Sequence, residues 1–185
     1  LIYIDNSKIK KNTEIAMKTG TYVAVKNLFF NIPARKKFLK SDQIENKHIL
    51  DTFSQIAIAH PNIGFKLINN ELDIYDLKKT NLKQRIIDVF GKRYNKKILP
   101  IQEKTSIVNI TGFIGNPIDA KKTRGEQFLY INNRYVKSTY LNHAIKQSMF
   151  HMIKVDYHPS YFIFLSISPS LVDVNIHPNK TEVKF

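Results

Sequence analysis

The sequence predicts an α+β fold built from two mixed units, 1–78 and 79–185. Three observations carry this. Short stretches such as 161–167 are apolar on both faces, as a covered strand requires, whereas Leu82, Ile86, Val89 and Phe90 recur at helical spacing. Strand-like and helix-like segments are mixed along the chain, and the pattern restarts near residue 80. The chain has 185 residues, 43% of them apolar, which is enough to fill a core.

The elements follow in order. Leu1 to Ile4 read as a strand, and a polar connection over 7–19 follows it. Residues 20–30 set Val23 and Val25 on one face and turn continuously apolar at Leu28, Phe29 and Phe30, which predicts a strand entering a core. Asn31 can cap orphan amides and Pro33 is tolerated in a first helical turn, so a short basic helix is expected over 34–40. Asp42 with Glu45 three residues on resembles a capping box. It opens a second helix whose stripe is Ile49, Phe53, Ile56 and Ala57 and which Pro61 ends.

Residues 65–75 read as a hairpin around Asn69-Asn70. Asn81 caps the helix that carries Leu82 to Phe90, and Gly91 lies near its end. Two strand-like stretches occupy 98–114, and 128–135 supplies a strand with a tight turn at Asn132-Asn133. Leu141, Ala144, Ile145 and Met149 predict a helix over 138–152, and 161–167 reads as a central strand. Over 172–177 the apolar residues alternate with Asp173, Asn175 and His177. There is no repeat or low-complexity segment. Both ends fall inside strand-like stretches and read as cut.

Charge is lopsided: 29 Lys and Arg against 15 Asp and Glu give a formal +14 at pH 7. Such an excess attracts polyanions. A Lys-rich solvated surface would have the same composition, so position decides between the two. The absence of cysteine excludes a disulfide framework, a thiolate zinc site and a cysteine nucleophile, and it fits a cytoplasmic protein. No apolar run approaches the about 18 residues of a membrane span, and no signal segment opens the chain. The six histidines show no paired spacing, so no metal site is expected among them.

Two stretches resemble the MutL family of DNA mismatch-repair proteins. One is GTYVAVKNLFFNIPARKKFLK, residues 20–40, with its Gly-Thr, its Leu-Phe-x-Asn and its Pro-Ala-Arg. The other is SLVDVNIHPNKTEVKF, residues 170–185, with its Asp-Val-Asn-x-His-Pro-x-Lys. Between them AIAHP (57–61) and RGEQFLYINNRYVKS (124–138) fall in family order, so the resemblance covers essentially the whole chain. It implies the C-terminal part of a Bergerat-type (GHKL) ATPase α/β sandwich over 1–78. A ribosomal-protein-five-like β-α-β transducer domain would follow over 79–185.

The resemblance also implies roles. Gly20 and Thr21 belong to the last ATPase motif, where Thr21 helps to hold adenine and Gly20 lets the backbone approach. Locally, Gly-Thr is also an ordinary strand start. Lys180 corresponds to the lysine that reaches from the second domain to the terminal phosphate of ATP, a task that suits a compact charge on a long stem. It is the one candidate for a catalytic role; without the family it would read as a solvated surface charge. Asp173, Asn175, His177 and Pro178 shape its loop. Arg35 and Lys36 suggest a basic surface for DNA phosphates, which Arg124, Arg134, Lys137 and Lys146 extend; Lys37 reads as solvated. Contacts of this type give affinity and salt dependence without sequence preference.

The cofactors implied are ATP and Mg. The residues that activate water, bind magnesium and cover the phosphates are not recognisable here, and in the family they lie upstream of the Gly-Thr strand. This chain alone is therefore expected not to hydrolyse ATP. The partners implied are DNA, a mismatch-recognition protein of the MutS type and a second copy of the protein, with no membrane. Three other classes stay open: part of another Bergerat-type ATPase such as a type II topoisomerase subunit, a stand-alone RNA-binding module, and a purely structural interaction protein. The Leu-Phe-Phe-Asn-Ile-Pro-Ala-Arg string argues against the first, and the family order along the whole length argues against the second.

Overall fold

A computed structural model describes residues 1–123 and 126–173. Packing divides the chain into two compact units, Leu1–Ile49 and Leu50 onward. The division falls earlier than the sequence boundary near residue 78, because Ala57, Ile58 and Leu77 share one core with Ile86, Tyr130 and Phe162.

In the first unit β1 (Ile2–Asp5) pairs antiparallel with β2 (Lys8–Asn12), where the sequence suggested a polar connection. Asn6 and Ser7 both have positive φ, as a two-residue hairpin turn of this hand needs. The strand expected over 20–30 does not form: Thr21 to Lys26 join no ladder, and a turn follows from Asn27. Val23 and Val25 are 77% and 75% exposed. Alternation prepares a face, but a ladder needs a partner strand, and none is present among the described residues.

The basic helix is α1 (Pro33–Phe38), shorter than expected and without a side-chain cap. Asn31 instead donates from Nδ2 to Asn6 Oδ1 at 2.8 Å. α2 (Asp42–Ala59) begins earlier than a capping box at Asp42 would place it: Asp42 is already helical, and the Glu45 carboxylate accepts the Lys40 N–H at 2.8 Å rather than that of Asp42. Its inward residues are Phe53, Ser54, Ala57 and Ile58, whereas Ile49 and Ile56 stay exposed.

The second unit is a five-stranded sheet covered on both faces. β3 (Phe65–Asn69) and β4 (Leu72–Leu77) form a separate hairpin whose turn, Asn70-Glu71, again has positive φ at both positions. α3 (Leu82–Phe90) is capped as the sequence indicates. Asn81 Oδ1 accepts the Gln84 N–H at 2.9 Å, and Gly91, at φ 98°, closes the C-terminus. A single 3₁₀ turn, Lys92–Lys96, leads on.

The sheet comprises β5 (Ile98–Lys104), β6 (Val108–Gly115), β7 (Gln127–Ile131), β8 (Arg134–Tyr135) and β9 (Tyr161–Ile167), with α4 (Thr139–Ser148) between the last two. The order is β5-β6-β9-β7-β8, and only β7 and β9 run parallel. β9, apolar on both faces, is central, as it must be to bury both.

Strand alternation sorts the two cores. Tyr130 and Phe162 face the end of α2, α3 and the hairpin, whereas Leu129, Ile131, Tyr161, Ile163 and Leu165 face Leu141 and Ile145 of α4. Parallel register sets Tyr130 beside Phe164 and Phe128 beside Phe162, with stacked rings 4.4 and 5.4 Å apart.

Candidate functional site

Gly20 and Thr21 lie in the first unit and are exposed; no heavy atom lies within 4 Å of where a Gly20 Cβ would stand. The described residues thus build no enclosed cradle for a nucleotide around them. No group of three His, Asp or Glu that could hold a metal ion occurs among the described residues. Arg35 and Lys36 sit exposed on α1, with the Arg35 guanidinium 5.9 Å from the centre of the Phe29 ring. Arg124 and Lys180, with Asn175, His177 and Pro178, lie outside the described residues.

In the second unit the turn after β7 borders an open cleft of about 390 Å³, lined by Gln55, Ile56, Ala59, His60, Arg134 and Tyr135 among others. Asn132 and Asn133 have φ 49° and 63°, a conformation that asparagine tolerates. Asn132 also fixes the turn to β9, accepting the Ile167 N–H at 3.0 Å and donating to the Ile167 carbonyl at 2.9 Å. Arg134 is therefore presented by an anchored turn. Burial, and then the charge of Asp51, push the Tyr135 hydroxyl pKa up. Lys137 is exposed between β8 and α4, and Lys146 is half-buried in the last turn of α4.

Two polar centres were not singled out from the sequence. Arg85 is fully buried in α3; its Nη2 donates to the carbonyls of Pro61, Ile63 and Lys78 at 3.0, 2.7 and 2.8 Å, and its Nη1 to that of Ala57 at 3.3 Å. The guanidinium carbon lies 5.5 Å from the centre of the Phe65 ring. Burial lowers its pKa. The available signal was a charged residue in the apolar register of Leu82, Ile86 and Val89.

The second centre is Glu126, whose carboxylate accepts from Lys121 Nζ at 2.9 and 3.2 Å and from Ser160 Oγ at 3.4 Å. Burial raises its pKa, but the Tyr94 and Lys121 donors and its own backbone amide outweigh burial and hold it below the usual value. Burial, and then Glu126, push the Tyr94 hydroxyl up.

Among solved structures this fold is similar to the Aquifex aeolicus MutL ATPase domain complexed with ADP. The TM-score is 0.70 at 23% identity, covering 91% of this chain and 61% of that one. It is also similar to the N-terminal domain of a DNA repair protein, with TM-score 0.71 at 21% identity over 85% of this chain and 53% of that one. The class is therefore an α+β protein with a mixed five-stranded sheet, in the fold of a MutL ATPase domain.

Residues 86–185 match the family described as DNA mismatch repair protein, C-terminal domain. The DNA mismatch repair protein MutL of Christiangramia forsetii is 47% identical over 182 residues, 98% of this chain and 30% of that protein. MutL of Flavobacterium psychrophilum is 47% identical over 184 residues, 100% of this chain and 30% of that protein. The chain belongs to the MutL family of DNA mismatch-repair proteins. It spans about 30% of the length of these curated relatives.

Proposed function

We propose that this chain serves DNA mismatch repair as the part of a MutL-type protein that links ATP binding and dimerisation to DNA and to a MutS-type partner in the cytoplasm. The observation that carries the proposal is the match to MutL proteins along the whole chain, at 47% identity in two relatives. In this reading residues 1–78 finish the ATPase domain and 79–185 form the transducer. Gly20 and Thr21 contribute to adenine binding, and Lys180 contributes its charge to the terminal phosphate, with Mg held by residues outside this set. Neither the topoisomerase reading nor the RNA-module reading is supported by the comparisons.

Arg35, Lys36, Arg124, Arg134, Lys137 and Lys146 supply phosphate contacts in this reading. Arg35 and Lys36 are exposed on a helix that buries nothing, and Arg134 stands on a turn fixed to the sheet, so both places have cations free to face a polyanion. The test is binding of mixed-sequence duplex by the complete protein at several salt concentrations. Affinity should fall by orders of magnitude between about 50 and 200 mM salt and be the same for unrelated sequences. An affinity that ignores salt, or that is unchanged by Arg35→Glu together with Lys36→Glu, would count against these contacts. No helix among the described residues is long and apolar enough to cross a membrane.

A further inference from the structure

The 3₁₀ turn Lys92–Lys96 holds basic residues that none of the roles above uses. With three residues per turn, side chains three apart eclipse, so Tyr94 and Lys97 share one line while Arg93 and Lys96 share another. On the first line Tyr94 points inward and Lys97 is half-exposed. Tyr94 is 4% exposed, with its ring 5.8 Å from Phe90 and 6.2 Å from Phe162, and Lys97 Nζ is paired with Asp119. The second line is exposed. Among the described residues no carboxylate lies within ion-pairing distance of Lys92, Arg93 or Lys96. The acids nearby are already engaged, Asp119 with Lys97 and Glu126 with Lys121.

Arg93 also lines a small polar cleft of about 80 Å³ with Asn116, Lys121 and Ser160, and its guanidinium lies 5.7 Å from the Tyr94 ring centre. Gly91, at φ 98°, sets the reversal from α3 into this turn. The turn is therefore pinned from within and presents two cations about 6 Å apart along its axis, at about 2.0 Å per residue. Holding charges on a buried aromatic anchor reduces the ordering cost of a phosphate contact.

We propose that Arg93 and Lys96, flanked by Lys92, form a second phosphate-binding surface for the backbone of duplex DNA, separate from the α1 and Arg134 positions. The proposal rests on the DNA-binding reading above. The test compares the complete wild-type protein with Arg93→Glu/Lys96→Glu, with the neutral Arg93→Gln/Lys96→Gln, and with Lys8→Glu/Lys10→Glu as a control of equal charge change on β2.

With mixed-sequence duplex the neutral pair should reduce the slope of log affinity against log salt by about two, and the glutamate pair should weaken binding at about 50 mM salt at least tenfold more than the control. If the wild type binds DNA but the Arg93/Lys96 variants behave as the control does, this surface is refuted and the general reading stands. If the wild type shows no salt-dependent binding, both fall. Displacement of the duplex by tripolyphosphate at equal ionic strength, in the wild type but not in the variants, would make the surface a small-polyanion site and overturn the assignment to DNA.

Discussion

Arg85 Nη2 donates to the carbonyl oxygen of Ile63 at 2.7 Å, across 22 residues of sequence. The same guanidinium gathers carbonyls from the end of α2, the following loop and the residue after β4, of which the Pro61 oxygen also accepts the Thr80 N–H at 2.8 Å. No other side chain presents a fork of this shape. Arg85→Ala should therefore destabilise the protein by roughly 3 kcal/mol or more, and Arg85→Lys should recover only part of that loss. Denaturant unfolding measures it; a loss below about 1 kcal/mol for Arg85→Ala would show that water satisfies those carbonyls instead.

Gly112, in the middle of β6, has φ 136°, and a Cβ added there would stand 2.0 Å from the Phe162 carbonyl oxygen of the neighbouring β9. The clash is with backbone of the central strand, which cannot rotate away. Gly112→Ala should cost about 3 kcal/mol or more and lower the yield of folded protein. Gly91→Ala, where nothing lies within 4 Å, carries only the backbone penalty and should cost less. Equal losses for the two would sink the steric account.

The difference between those glycines shows what sequence could and could not give. Asn81, Leu82, Ile86, Val89 and Gly91 signal a helix and both its ends locally, and the structure has them so. The apolar residues on both faces of β9 likewise identify a central strand. Gly112 is invisible in that way, because its need arises from a strand some 50 residues on that only the topology brings beside it. Arg85 was legible only as a charge in an apolar register, since the carbonyls it serves come from three other segments.

The strand expected at residues 20–30 failed for a related reason: Val23 and Val25 mark a face, but a face does not supply its ladder partner. Among the DNA-binding candidates, the sequence nominated Arg134 through its motif, while the Arg93 and Lys96 pair needed the 3₁₀ geometry and the buried Tyr94 to become distinct from an ordinary Lys-rich stretch.

Tyr130 Oη donates to the Gln55 carbonyl at 2.9 Å, and burial, followed by the influence of Tyr135, raises its pKa above the ordinary tyrosine value. Tyr94 and Tyr135 are raised as well. In each case the unfolded chain loses its proton first, so the unfolded state binds fewer protons at alkaline pH. The stabilisation is whole below about pH 10 and is lost as pH rises toward the folded values, by about 1.4 kcal/mol per pH unit for each group. Tyr130→Phe should cost roughly 1–3 kcal/mol at neutral pH and make the alkaline loss shallower. Unfolding curves taken between about pH 8 and 11 test this; parallel pH profiles for the wild type and the variant would exclude Tyr130 as a contributor.

The last prediction concerns Lys180, which lies outside the described residues and is assigned through the His-Pro-x-Lys string alone. If its ammonium engages the terminal phosphate, it distinguishes ATP from ADP, because ADP lacks the group that it touches. A hydrogen bond to a charged partner contributes about 1.5–3 kcal/mol, enough to shift a two-state equilibrium by roughly tenfold to more than a hundredfold. In the complete protein Lys180→Ala should weaken ATP binding and ATP-dependent dimerisation by that order while leaving ADP affinity and unfolding midpoint nearly unchanged. Lys180→Glu should be worse, since it sets like charge beside the triphosphate. Affinity for each nucleotide and the dimer fraction with ATP are the measurements. Equal loss of ATP and ADP binding would mean that Lys180 supports the fold of the site rather than sensing the phosphate, and unchanged ATP affinity would leave it a surface lysine.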